Sequence, residues 1–215
     1  MGYLTIKDRA EARFYEKKSE FIGYVKRVET EEEAKEFIGE IRHMHKQATH
    51  NVYAYVIGEN RGIQRYSDDG EPQGTAGIPV LEVIKKNNVS DCVVVATRYF
   101  GGVLLGAGGL IRAYSKTAAM AIEQGGIVEK VKGIPIEMII DYDMLGKLQY
   151  TCEQKGWYIE DTIYTDKVAL LFYFEIDKKE EFEKRVIDIT GGKVIIEEKD
   201  EDIFFKKDSR LYLVC

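Results

Sequence analysis

The sequence of 215 residues contains no apolar run long enough to cross a membrane as a helix. Its start, MGYLTIKDRAEARFYEKK, lacks the apolar stretch and small-residue cleavage site of a signal peptide. Cysteine is scarce. Cys92, Cys152 and Cys215 are odd in number and far apart, which excludes a disulfide framework and a zinc-ligand spacing. These absences predict a soluble protein of the reducing cytoplasm with no membrane partner. There is no GxSxG nucleophile elbow, no Walker Gly-Lys-Ser/Thr, no internal repeat and no low-complexity tract. Ser67 and Ser115 have no local base, and Cys92 falls in an apolar strand where a thiol is inert. No catalytic residue, cofactor or metal ion is therefore assigned.

Apolar residues make up 45% of the chain and charged residues 32%, enough for a packed core and unlike a disordered chain. The net charge of −6 is unevenly spread: residues 134–215 hold 12 Lys/Arg against 19 Asp/Glu, and residues 1–133 hold the other 19 and 18. An anionic partner would therefore prefer the first half.

Segment 19–28, SEFIGYVKRV, reads as a strand. Thr30 and Glu33 form a capping box before a helix whose apolar stripe is Ala34, Phe37, Ile38 and Ile41. From Asn51 to Gly58, Val52, Ala54 and Val56 alternate with Tyr53, Tyr55 and Ile57, as in a strand buried on both faces. A turn at 67–72 precedes a second helix from about Thr75 to Asn87-Asn88, with Pro79 in its first turn. DCVVVAT (91–97) is a sheet-interior strand, and a long helix runs from about Gly106 to Gln124, stopped by Gly125-Gly126.

Gly133-Ile134-Pro135 marks the expected domain boundary. Beyond it the pattern is strand (136–141), helix (143–155), two strands (157–165, 168–176), helix (178–190) and a final strand (193–205). Asp177 and Glu180 have capping-box spacing for the last helix. Its core stripe is Phe182, Val186 and Ile189. This βαββαβ order predicts a ferredoxin-like domain. The expected division is 1–132, 134–207 and a C-terminal tail 208–215, in an α+β fold.

Two segments carry the candidate chemistry. RYFGGVLLGAGG (98–109) follows a strand and opens a helix, and holds Gly101, Gly102, Gly106, Gly108 and Gly109. Free amides and a partial positive charge at a helix start suit phosphate. Arg98 precedes the loop, and Arg112 and Lys116 share a helix face at i, i+4. Close strand–helix packing is the alternative reading of the glycines. SDDGEPQGTAG (67–77) sets Asp68, Asp69 and Glu71 around Gly70. These carboxylates suit a turn, a hard cation, acid–base work, or pairing with Arg98 or Arg112. RHMHKQATHN (42–51) holds His43, His45 and His50. It reads better as a basic helix end than as a metal site.

At SDDGEPQGTAGIPVL (67–81), VVVATRYFGGVLLGAGGLIRAY (93–114) and ATHNVYAY (48–55), the chain resembles the IMPACT/YigZ family. The resemblance covers most of residues 13–132. It implies a first domain with the left-handed βαβ fold of a small-subunit ribosomal protein and of elongation factor G domain four. Eukaryotic members regulate translation initiation through an extra N-terminal domain, for which this chain has no room. Two positions depart from that family's pattern: Leu104, where relatives often carry Lys, and Val52. The expected function is a translation-associated regulatory factor with RNA or the ribosome as partner. The alternative is a nucleotide- or phosphate-binding enzyme that uses the Gly-rich loop and the acidic segment.

Overall fold

The computed structural model describes residues 2–214; Met1 and Cys215 lie outside the described residues. The chain is mixed α and β and separates into two compact units, Tyr3–Val128 and the stretch from Glu129 onward together with Gly2. No helix among the described residues is long and apolar enough to cross a membrane.

The first unit contains β1 (Tyr3–Ile6), β2 (Ala10–Glu16), β3 (Ser19–Arg27), α1 (Glu31–Met44), β4 (His50–Ile57), β5 (Ile63–Ser67), α2 (Gly77–Lys86), β6 (Cys92–Tyr99) and α3 (Ala107–Gly125). Five strands form one sheet in the order β2-β3-β6-β4-β5. Both β3 and β4 run antiparallel to β6, so they are parallel to each other with β6 between them, and α1 connects them. Alternation along β6 sorts its residues. Val93 and Val95 face α1, where Phe37, Ile38 and Ile41 pack with Ile22, Tyr24 and Tyr55. Val94 and Ala96 face α2 and α3, where Val80, Ile84, Tyr114 and Ala118 pack with Phe21, Val52 and Ala54. The capping box before α1 forms: Thr30 Oγ1 accepts from Glu33 N at 3.2 Å, and Glu33 Oε2 accepts from Glu29 N at 2.7 Å.

Three strands of this unit lay outside the sequence expectation. In β2, Ala10, Ala12 and Phe14 alternate with Glu11, Arg13 and Tyr15. Charge on the outer face masks the period at this sheet edge. The other edge, β5, is only IQRYS, and β1 is four residues long.

The β2–β3 hairpin turns on Lys17 and Lys18, at φ of 44° and 68°. Such a two-residue turn favours Asn-Gly. A side chain in the left-handed region costs about 1–2 kcal/mol per residue, so two lysines hold this turn against their own preference.

The second unit continues with β7 (Ile127–Ile140, beginning in the first), α4 (Tyr142–Lys155), β8 (Ile159–Tyr164), β9 (Val168–Glu175), α5 (Lys179–Thr190), β10 (Ile195–Glu198), β11 (Asp202–Lys207) and β12 (Arg210–Leu213). Its sheet runs β12-β11-β7-β9-β8, with β10 pairing the later half of β7. Ile136, Met138, Leu148, Phe172 and Phe182 form its core.

Three sequence expectations differ from this structure. Gly133-Ile134-Pro135 lies inside β7 and pairs with β9, because apolar alternation continues across Gly133 and Pro135. The final strand divides into β10 and β11 around a run of charged residues at 197–202. Residues 210–213, expected as tail, form β12, where Arg210 makes a two-point pair with Glu160 at 2.9 and 3.1 Å and stacks on Tyr158 and Tyr212. In addition, Asp177 does not cap α5: Lys178 is the cap residue, without a side-chain bond, because a 3-10 turn occupies 176–178.

His45 closes α1 between two tyrosines, Nε2 2.6 Å from Tyr24 Oη and Nδ1 2.9 Å from Tyr99 Oη. Burial lowers its pKa below 6.5. Burial also pushes the Cys92 thiol and the Tyr24 and Tyr55 phenols up to about 12. An acid whose pKa rises on folding loses its proton first in the unfolded chain. The stability these groups contribute is therefore complete below the ordinary thiol value of 9.0 and is lost as pH rises through about 12. Urea midpoints measured across pH should hold steady from neutrality to about pH 9 and then decline; a midpoint that climbs in that window contradicts the assignment.

Candidate functional site

Even-numbered residues of β6 face α2 and α3, and Arg98 is the last of them. It stands opposite Phe21 of β3 and His50 of β4. Core alternation therefore carries this guanidinium inward, and its side chain is 5% exposed. Its partner comes from the acidic turn. Glu71, 4% exposed, accepts from Arg98 Nη1 at 2.6 Å and from Tyr114 Oη at 2.7 Å, both at Oε1. Burial, then the Glu71 charge, raises the Tyr114 pKa, so the phenol keeps its proton and donates. Arg98 Nη2 also reaches Ser19 Oγ at 3.4 Å, while Arg98 Nε makes no hydrogen bond among the described residues. The guanidinium lies between the Phe21 and Phe100 rings, 5.5 and 5.4 Å from their centroids.

The two aspartates beside Glu71 have different work. Asp68 Oδ1 accepts from Ala76 N at 3.0 Å and Gly77 N at 2.8 Å, and Oδ2 accepts from Gly74 N at 2.8 Å. Its carboxylate occupies the N-terminus of α2, supplying the negative charge that a helix start favours. Asp69 adopts φ 46° ahead of Gly70, in a tight Asp-Gly turn closed by Glu71 N to Asp68 O. Its Oδ1 accepts from Arg42 at 2.7 Å and its Oδ2 from Asn51 N at 2.6 Å. Among the described residues, no three His, Cys, Asp or Glu side chains converge as a metal site.

The Gly-rich loop is shaped by two different needs. A Cβ on Gly101 would lie 2.1 Å from the Lys18 carbonyl, so the hairpin turn of β2–β3 sits directly on it. Gly106 caps α3 at φ 73° with open space around it. Gly102 also has positive φ and open surroundings, and Gly108 meets only the tip of Arg112. Gly109 packs on Leu105. No side chain caps α3, and its first turn holds no acidic residue. Its first-turn N–H groups have no intrahelical acceptor.

On one side of this helix start, Lys17, Arg112 and Lys116 line a groove of about 250 Å³ with Phe14, Leu105 and Glu16. Among the described residues Arg112 has no ion-pair or hydrogen-bond partner, and Lys116 Nζ lies 4.4 Å above the Phe14 ring. On the other side, a pocket of about 400 Å³ is lined by His50, Glu71, Arg98, Phe100, Leu104 and Leu110, with Gly106 and Ala107 at its edge. His50 Nδ1 is 2.7 Å from the Asp69 carbonyl, and its Nε2 is 3.9 Å from Glu71 Oε2.

The structure thus brings Arg98 to Glu71, and Arg112 and Lys116 to the open start of α3, and it separates these two groups of cations. His43 is exposed on α1, and the three histidines do not converge. Tyr114 and the Lys17-Lys18 turn were not singled out in the sequence, and His50 was weighed there only within the histidine cluster, as a helix-end cation or metal ligand. The shared parity of His50 with Val52 and Ala54 is the signal that placed it on this face.

Residues 17–122 match the family model of the Impact N-terminal domain, and residues 138–193 match that of a domain of unknown function, DUF1949. The chain is 43% identical over 197 residues to IMPACT family member YvyE of Bacillus subtilis (strain 168), with 92% of this chain and 91% of YvyE covered. It belongs to the IMPACT family. IMPACT family member YigZ of Escherichia coli (strain K12) is 33% identical over 178 residues, covering 82% of this chain and 87% of YigZ. A crystal structure described as that of a hypothetical protein matches with a TM-score of 0.59 at 29% identity, over 91% of this chain and 96% of its own. The Impact N-terminal match contains both the acidic turn and the Gly-rich loop.

Removing one partner of a buried, hydrogen-bonded ion pair costs about 3–5 kcal/mol, whereas replacing both by apolar groups is far less costly. Glu71→Leu and Arg98→Met should each lower unfolding stability by about that amount, and the two combined by less than the two losses added. Chemical denaturation of the four proteins measures this. Strict additivity would mean that the pair is not coupled.

Proposed function

We propose that this chain is a translation-associated regulatory factor that binds RNA or the ribosome through its first unit. One observation carries the reading. Of the two helices that follow glycine-containing turns, α2 has its N-terminus filled by Asp68, whereas α3 presents an uncapped start beside Arg112, Lys116 and Lys17. Phosphate oxygens are the ligands such a start accepts. The strained Lys17-Lys18 turn is a second support, since strain held in a folded protein points toward function.

Family membership supports the translational setting, because the eukaryotic members act there. The elongation-factor-like first domain and the ferredoxin-like second domain belong to this same reading, as does a cytoplasmic location. The enzyme alternative is less well supported. Asp68 and Asp69 already accept from backbone amides and Arg42, so neither is free as a base or ligand.

Phosphate contacts release counterions, and affinity for single strands falls with salt at a slope of about −0.7 per contact on logarithmic axes. Three cations in the groove predict a slope of about −2. Sedimentation with ribosomes and anisotropy with single-stranded RNA, each over a salt series, should show it. Arg112→Gln and Lys116→Gln should each flatten the slope by about 0.7 without changing stability. Absence of binding to both partners at low salt would refute the proposal.

A further inference from the structure

The second pocket beside α3 has a composition that phosphate binding does not explain. Its floor is polar and its wall apolar. On the floor, Glu71 Oε1 is already taken by Arg98 and Tyr114, while Oε2 accepts no hydrogen bond among the described residues. His50 Nδ1 faces the Asp69 carbonyl, which can only accept, so Nδ1 carries the proton. In the neutral ring Nε2 is then an acceptor as well. Two acceptors, Oε2 and Nε2, thus stand 3.9 Å apart at the pocket floor. A single amino group between them can donate one hydrogen to each.

The wall narrows the class further. Phe100 and Leu104 are 44% and 83% exposed, and Leu105 and Leu110 complete an apolar side. One face of the Phe100 ring is covered by Arg98. Aromatic rings at such a rim stack on flat heterocycles. The volume of about 400 Å³ falls within the range of small-molecule sites, roughly 300–1,000 Å³. Leu105 lines both this pocket and the basic groove, and the start of α3 lies between them. A nucleotide with its base in the pocket would therefore have its phosphate at the open helix start.

We infer that this pocket receives an unstacked nucleobase bearing an amino group, stacked at Phe100 and held through that amino group by Glu71 Oε2 and His50 Nε2. The inference rests on the RNA-binding reading and adds base selection to it. Adenine, cytosine and guanine carry amino donors. Uracil presents carbonyl oxygens on either side of its single N–H, which the two acceptors on the floor repel.

The test uses the full chain and labelled 12-nucleotide tracts of A, C and U at one low salt concentration, read by fluorescence anisotropy. Tracts of A and C should bind on the order of tenfold tighter than U, the discrimination expected when acceptors face acceptors. Phe100→Ala should weaken A and C tracts on the order of tenfold through loss of one stacked base. His50→Asn keeps a donor toward the Asp69 carbonyl and deletes Nε2; it should bring A and C down to the level of U with the salt slope unchanged. Arg112→Gln should weaken all three tracts alike and leave their ratio intact. Adenosine and uridine, which lack phosphate, provide the separate arm: adenosine should shift the NMR methyl signals of Leu104 and Leu105, and uridine should not. Equal affinity for the three tracts, or a preference that survives His50→Asn, overturns the pocket while leaving the backbone contact standing. Shifts with adenosine but no binding of any tract support the pocket and refute the RNA reading. Neither tract binding nor nucleoside shifts would sink both.

Discussion

The buried pair between Glu71 and Arg98 is the constraint on which the functional face of the first unit depends. A guanidinium at the end of the central strand enters the core because strand alternation leaves it no other side. A charge there without a partner would be prohibitive. The acidic turn supplies the partner, and Tyr114 of α3 adds a second donor to the same carboxylate oxygen. Three separate stretches, the turn, the strand and the long helix, are thereby registered to one another. Once Glu71 is fixed, Asp68 is brought to the start of α2 and Asp69 to Arg42 and Asn51. Little of the turn's acidity remains for a ligand.

That arrangement creates an asymmetry between two helix starts in one unit. One is neutralised from within. The other stays open, with Gly106 and Gly108 unobstructed and cations on the adjoining groove. The acidic segment therefore serves the Gly-rich segment chiefly by fixing the surface around it, and apart from Glu71 Oε2 the ligand-facing groups are drawn from elsewhere: Lys17 on a hairpin, Arg112 and Lys116 on a helix, His50 at the head of a strand. Net acidity of the chain is compatible with such a contact, because the positive groups are concentrated where the amides are.

Much of this was legible in the sequence. The helices of the first unit, the sheet-interior strand 92–99 and the βαββαβ order of the second follow from apolar period and turn residues, since burial on a defined face dictates both. The role of Arg98 was legible only in part. Its position after VVVAT gives its parity, but proximity to a glycine loop suggests exposure, and only packing shows which prevails. That Glu71 is the partner, ahead of Asp68 or Asp69, depends on a turn geometry that no local pattern encodes. Edge strands such as β2 were obscured by charge on their outer face, and β12 by its brevity. Pro135 looked like punctuation because proline lacks a donor, yet it sits in β7 and pairs with Tyr173.

The Lys17-Lys18 turn has a consequence for how this family member can change over time. Asn-Gly at the same two positions would relax the backbone and at once delete two positive charges, one of them, Lys17, on the groove beside the open helix. Selection acting on folding alone would drift in that direction, as would a consensus-based stabilisation of the protein. The turn is thus a point at which thermostability and electrostatic reach are exchanged one for the other.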